Sequence, residues 1–156
     1  DGSGHKNPLI TLQEYKRLSI PYGSLDETER KEIESHVKHS YEFLKKIPWT
    51  REMENIPEIA YAHHEKLNGK GYPRGLSKDK ILLQSKMISI ADIYDALTAS
   101  DRPYKKAMTP DMALQILKCE AESDNIDSKL LELFITRKIY EKTAEYQNPL
   151  KNENTL

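Results

Sequence analysis

Through most of the chain, apolar residues recur three or four positions apart, and proline or glycine closes each run. That spacing constrains the fold more than any other feature, because it gathers apolar side chains on one face of an α-helix. At about 100° per residue, Val37, Leu44 and Ile47 fall within about 40° of Ile33, with Tyr41 beside them. A Ser-x-x-Glu capping box, Ser24 to Glu27, opens this helix, which should run to about Ile47, where "IPWT" stops it. A shorter amphipathic piece at 9–18 precedes it, carrying Leu9, Ile10, Leu12, Tyr15 and Leu18 and set apart by Pro21 and Gly23. Pro57 suits the first turn of another helix, which should stop near Asn68-Gly69. Further helices are predicted over about 85–99, from Thr109-Pro110 to about Glu122, and from Asp127 or Ser128 to about Tyr140. No strand pattern and no internal repeat emerges, so the fold class is all-α, a helical bundle.

The 156 residues suit one domain with a sizeable core. They divide into an N-terminal segment, 1–23, a helical core, 24–140, and a polar tail, 141–156. The opening "DGSGHKNPL" has no methionine and begins in what reads as a loop, so the chain is read as a piece of a longer protein whose domain is incomplete here. The 24 basic and 25 acidic residues leave a formal net charge of −1. Such balance gives no general attraction to a nucleic acid polymer or an anionic membrane, so any anion site must be local. The single cysteine, Cys119, excludes an intrachain disulfide and fits a reducing, cytoplasmic setting. No apolar run approaches the length of a membrane span.

Five kinds of residue could carry chemistry. His36 lies about 60° from the Ile33 direction, at the edge of the buried face, whereas His39 lies about 120° away, toward solvent. A histidine at a core edge is either a ligand or a structural group bonded to a backbone carbonyl. His63 and His64 end an apolar helix, where neighbours point about 100° apart. They would serve two adjacent metals, or one ligand and one supporting group, or else sit as cations by C-terminal carbonyls. Asp92 interrupts the apolar run "MISIADIYDAL", where an uncompensated buried carboxylate is costly. A metal or a salt bridge to Arg102 would compensate it, with Asp95 one turn on as a supporting group. Imidazoles with a carboxylate suit iron, manganese, zinc or nickel. Finally, "GKGYPRG", with Lys70, Tyr72 and Arg74, and "DRPYKKA", with Arg102, Tyr104, Lys105 and Lys106, read as anion grips or as solvated charged loops.

Taken together, these segments resemble one family. "HHEKLNGKGYPRG" resembles the HHE-x-x-(D/N)-G-x-GYP signature of the HD-GYP domain, a helical branch of the metal-dependent HD phosphohydrolases. "IADIYDALTASDRPYKKA" resembles the segment that follows it in the family, and "ERKEIESHVKHSYEFL" is similar to the helix bearing an earlier metal histidine. The resemblance spans roughly residues 20–137. It implies a cyclic di-GMP phosphodiesterase of bacterial signalling, with product pGpG or GMP. It assigns metal ligation to His36, His63, His64 and Asp92, phosphate contact to Arg102 and Lys105, and a flanking loop to Gly71, Tyr72 and Pro73. It further implies two or three divalent ions per complete site, commonly iron or manganese. It also implies contacts of the loop with diguanylate cyclase (GGDEF) domains, and an upstream sensory domain. The family's His-Asp dyad, followed by a lysine, has no counterpart here: His5 is the only earlier histidine, flanked by Gly4 and Lys6. The expectation is therefore the C-terminal part of an enzyme whose dyad lies upstream. The alternatives are an inactive module that binds a nucleotide or a GGDEF partner, and an HD phosphohydrolase for another nucleotide.

Overall fold

The computed structural model describes residues 27–99 and 107–146. In chain order these form α1 (Glu27–Leu44), α2 (Ile56–Tyr61), a single 3-10 turn (Lys78–Lys80), α3 (Leu83–Thr98), α4 (Pro110–Glu122), α5 (Ser128–Thr136) and α6 (Ile139–Tyr146). Among the described residues there is no strand, only an isolated bridge between Asn68 and Ser77, so the all-α expectation holds. The segment 9–18 and the Ser24 cap lie outside the described residues. The chain divides into two compact units, 1–36 and 37–156. Of the first, the described part is the opening half of α1, whose first turn carries Glu27 and Glu29, where negative charge suits the positive end of the helix dipole.

The second unit has its core among α3, α4 and α5. Ile90 and Tyr94 from α3 meet Ala113, Leu114 and Leu117 from α4, and Leu131 and Phe134 from α5, with Ile126 from the connecting turn. Tyr94 meets Phe134 edge to face at 5.6 Å, and Tyr140 leans on both rings. The expected caps form: the Thr109 hydroxyl accepts from the Met112 N–H, and Asp127 accepts from the N–H groups of Lys129 and Leu130. Ser85, fully buried on α3, donates its hydroxyl to the Ile59 carbonyl at 3.0 Å. This small residue lets α2 lie close against α3.

Three boundaries differ from those read in the sequence. α1 ends at Leu44 rather than Ile47, and the Trp49 indole N–H takes up the Leu44 carbonyl at 2.8 Å. α2 stops at Tyr61, well short of Asn68-Gly69. The last predicted helix is two, because Lys138 adopts a left-handed φ of 50° and breaks the ladder after Thr136. Along α1, Val37 is fully buried while Ile33 stays 52% exposed. Periodicity gives the direction of a side chain, not whether a neighbour reaches it. No described helix is long and apolar enough to cross a membrane.

Candidate metal centre

The site is built where the chain leaves α2. Pro57 sits in the first turn of this six-residue helix, and the Ala62 N–H closes its end on the carbonyls of Glu58 and Ile59. His63 and His64 therefore stand on a turn and not on a helix. The helical separation expected of the pair does not apply: their ring centroids are 4.0 Å apart with planes tilted by 40°. One ligand atom from each lies within 4.8 Å of the other, close enough for a shared ion.

The tautomers follow from the backbone. His63 Nδ1 lies 2.6 Å from the Ala60 carbonyl, which can only accept, so Nδ1 carries the proton and Nε2 the lone pair. This is how metal-binding imidazoles are commonly oriented. His36, exposed on α1 rather than half-buried, repeats the device within its own turn, with Nδ1 at 2.5 Å from the Ile33 carbonyl. His39 is exposed, as expected. His64 Nδ1 lies 3.8 Å from Asp92 Oδ2, and its ring stacks on Tyr72 at 4.8 Å and 28°. Asp92 itself is 46% exposed, so the burial cost that made it conspicuous in an apolar run does not arise. α3 turns that carboxylate outward while Ile90 and Tyr94 enter the core. Arg102, Tyr104, Lys105 and Lys106 lie outside the described residues. Two imidazoles and a carboxylate, with one imidazole fixed in its ligating tautomer, make a donor set that fits a borderline transition metal.

The loop beside the histidines is held by a residue that sequence reasoning passed over. Glu65 is only 3% exposed, and its carboxylate accepts the Arg74 N–H at 2.7 Å and the Leu76 N–H at 2.8 Å. The Tyr72 N–H bonds the His64 carbonyl, which fixes the Tyr72 ring over His64. Gly71 passes so near the Glu65-Lys66 backbone that a Cβ would stand 2.2 Å from the Lys66 nitrogen. Asn68 ties the loop to the α4–α5 turn: its amide donates to Asn125 Oδ1 at 2.7 Å, while its oxygen accepts from the Lys70 N–H. The only sequence cue for Glu65 was an acidic residue ahead of a turn rich in N–H groups, which is a weak one. Glu65→Gln replaces one acceptor oxygen by a donor against an N–H. It should cost about 1–3 kcal/mol, read as a lower urea midpoint with an unchanged slope; an unaltered midpoint would show that the loop holds itself.

Arg74, read as an anion grip, is engaged within the protein. Its guanidinium reaches Glu58 Oε2 at 2.9 Å and lies 4.8 Å over the Tyr61 ring. Tyr61 stacks on Tyr41 at 4.4 Å, and the Tyr41 hydroxyl donates to Glu58 Oε1 at 2.8 Å. Partial burial pushes the Glu58 carboxyl up, but the bonds from Tyr41 and Arg74 outweigh it and hold its pKa below the ordinary 4.5. The bond to Glu58 in turn raises the Tyr41 phenol above its ordinary 10.0. A depressed carboxyl pKa contributes stability that is complete above the unfolded value and lost as pH falls through the folded one. The gap in unfolding midpoint between the native chain and Glu58→Gln should therefore be constant near neutrality and close on acidification below pH 4.5. A gap that persists at strongly acid pH would remove the charge from the explanation.

With this geometry in hand, the relatives are informative. The HD domain family profile matches residues 13–130, well over half of the chain. Over 96 residues the chain is 43% identical to a 3'3'-cGAMP-specific phosphodiesterase of Vibrio cholerae, covering 62% of this chain and 20% of that protein. Over 112 residues it is 39% identical to a cyclic di-GMP phosphodiesterase response regulator of Xanthomonas campestris, covering 68% of this chain and 29% of that protein. A cyclic di-GMP phosphodiesterase of Thermotoga maritima is 48% identical over 48 residues, covering 31% of this chain and 13% of that protein. The chain thus spans less than a third of the length of any of these three relatives. Family profile, paired histidines and the stapled GYP loop agree: the chain belongs to the HD domain family, in its HD-GYP branch.

Proposed function

We propose that this chain supplies the C-terminal part of a metal-dependent phosphodiesterase that hydrolyses cyclic di-GMP to pGpG or GMP in bacterial signalling. The observation that carries the reading is the turn after α2, where His63, locked by the Ala60 carbonyl, stands beside His64, 3.8 Å from Asp92. The resemblance also assigns a ligand role to His36, whose Nδ1 is bonded in the same way to the Ile33 carbonyl. Divalent ions, iron or manganese, two or three in the complete site, would activate water and offset charge on the phosphoryl oxygens. A His-Asp dyad from the parent protein completes the ligand set. Arg102 and Lys105 are the phosphate contacts of this reading, since a guanidinium can hold a phosphate bidentately and an ammonium as a point charge. Tyr72, held by its bond to the His64 carbonyl, screens one flank of the imidazoles, and the Gly71-Tyr72-Pro73 loop also offers a surface to GGDEF domains. An upstream sensory domain and a cytoplasmic setting complete the reading.

A second substrate has a specific observation behind it: the 43% identical relative bears the name of a 3'3'-cGAMP-specific phosphodiesterase. Both cyclic dinucleotides contain guanine and the same type of phosphodiester. The test is hydrolysis of each by the longer protein carrying this chain, before and after chelation. Chelation should abolish turnover, and added iron or manganese should restore it. Turnover indifferent to the chelator would end the metal reading, and a protein that binds but never hydrolyses either dinucleotide would favour the inactive module.

A further inference from the structure

Against the His64–Tyr72 stack, and lined in part by both side chains, lies a recess of about 240 Å³. Its walls are Ile93 of α3, Ile116 of α4 and Ile126 of the α4–α5 turn, and its polar rim carries Lys66, Glu120 and Asn125. The volume far exceeds the roughly 30 Å³ of a water and falls just short of the roughly 300–1,000 Å³ of whole-ligand pockets. It suits one flat ring system, not a dinucleotide. Three isoleucines offer apolar faces to such a ring, and the Tyr72 side chain also lines the recess.

The rim is organised for a particular hydrogen-bonding edge. Asn125 is held at both ends, its oxygen accepting from Asn68 and its amide donating to Glu120 Oε2 at 2.7 Å. Lys66 stands 3.8 Å from the same Glu120 oxygen. The Glu120 carboxylate is thus held by one hydrogen bond to Oε2 and a longer ion pair on the same oxygen, out of the roughly four acceptor sites of an ionised carboxyl. A pinned acceptor pair matches an edge with two adjacent donors. Among nucleobases guanine has one, at N1–H and the exocyclic amine, whereas adenine sets a lone pair at N1 against the carboxylate. Lys66 can meet the acceptor atoms of the same base.

We propose that this recess is a guanine subsite, and that Glu120, positioned by Asn125, selects guanine over adenine. The proposal rests on the reading of the chain as part of a cyclic dinucleotide phosphodiesterase, since both candidate substrates carry a guanine. It also gives the motif residue Asn68 a purpose: Asn68 fastens the GYP loop and, through Asn125, the base-reading carboxylate.

The test is binding, read without turnover. Methyl NMR of the full chain in chelator should show GMP shifting Ile93, Ile116 and Ile126, at least tenfold tighter than AMP. Glu120→Gln, isosteric but with one acceptor lost, should reduce that preference to threefold or less. Ile116→Phe, which fills the recess, should abolish the shifts for both nucleotides. Silent isoleucines, equal affinity for GMP and AMP, or a preference unchanged in Glu120→Gln would each overturn the subsite. Hydrolysis of cyclic dinucleotides is measured separately, so its failure would fall on the enzyme reading alone.

Discussion

His63→Ala should lower cyclic di-GMP turnover by 100-fold or more in the longer protein, with loss of bound metal and little change in stability. Removing a supporting group of a metal ligand already costs about 10–100-fold, so removal of a ligand itself should reach at least that limit. The small stability change follows from the surroundings. His63 is half-buried, and its described hydrogen bond is to a carbonyl one turn back, worth about 1 kcal/mol. Metal content by elemental analysis, turnover and thermal midpoint are read on the same preparation. His39→Ala, an exposed histidine of α1, should change none of the three. Undiminished turnover with full metal content in His63→Ala would remove His63 from the ligand set. A collapse of the fold would instead make it a structural residue.

Gly71→Ala should be the most damaging conservative change in the loop. The new methyl would stand 2.2 Å from the Lys66 nitrogen and 2.5 Å from the Glu65 Cα, both backbone atoms. Neither can swing aside as a side-chain tip would, so the Glu65-Lys66 segment or the loop must move. Overpacking of this kind costs about 1–3 kcal/mol, occasionally more, and here the upper end is expected. Displacement would also disturb the two N–H bonds to Glu65 and the Tyr72–His64 stack, so turnover should fall with stability. Gly69→Ala is the control. There the backbone has φ +75° but the nearest atom is 3.7 Å away, so only left-handed strain remains. That strain is worth about 1–2 kcal/mol. Equal urea midpoints for the two variants would refute the close-approach argument.

How much of this was legible beforehand differs by residue. The Thr109 and Asp127 caps and the Pro57 start were readable because each is a local rule: the caps bond backbone two or three positions away, and a proline in a first turn lacks an N–H that would have no partner there. Lys138 escaped, since nothing nearby in the sequence marks a lysine for φ +50°. The ends of α1 and α2 escaped for a different reason. Beyond them the chain is taken up by contacts of the following segment, the Trp49 indole on the Leu44 carbonyl in one case and the turn leading into the Glu65-held loop in the other.

The site divides in the same way. From the sequence alone came the helical class, the candidate ligands His36, His63, His64 and Asp92, and the HD-GYP resemblance, because residue type, spacing and motif are properties of the chain in one dimension. The assignment of roles among charged groups depended on the fold. Asp92 stands in an apolar run yet is half exposed; Glu65 stands before a polar turn yet is buried; Arg74 stands in a cationic loop yet is tied to Glu58 and Tyr61. A charge acquires its role from what desolvates it and what pairs with it. Those partners arrive from 9 residues away for the Arg74 N–H on Glu65, 16 for Arg74 on Glu58 and 57 for Asn68 on Asn125, and only the packed tertiary structure brings them within bonding distance.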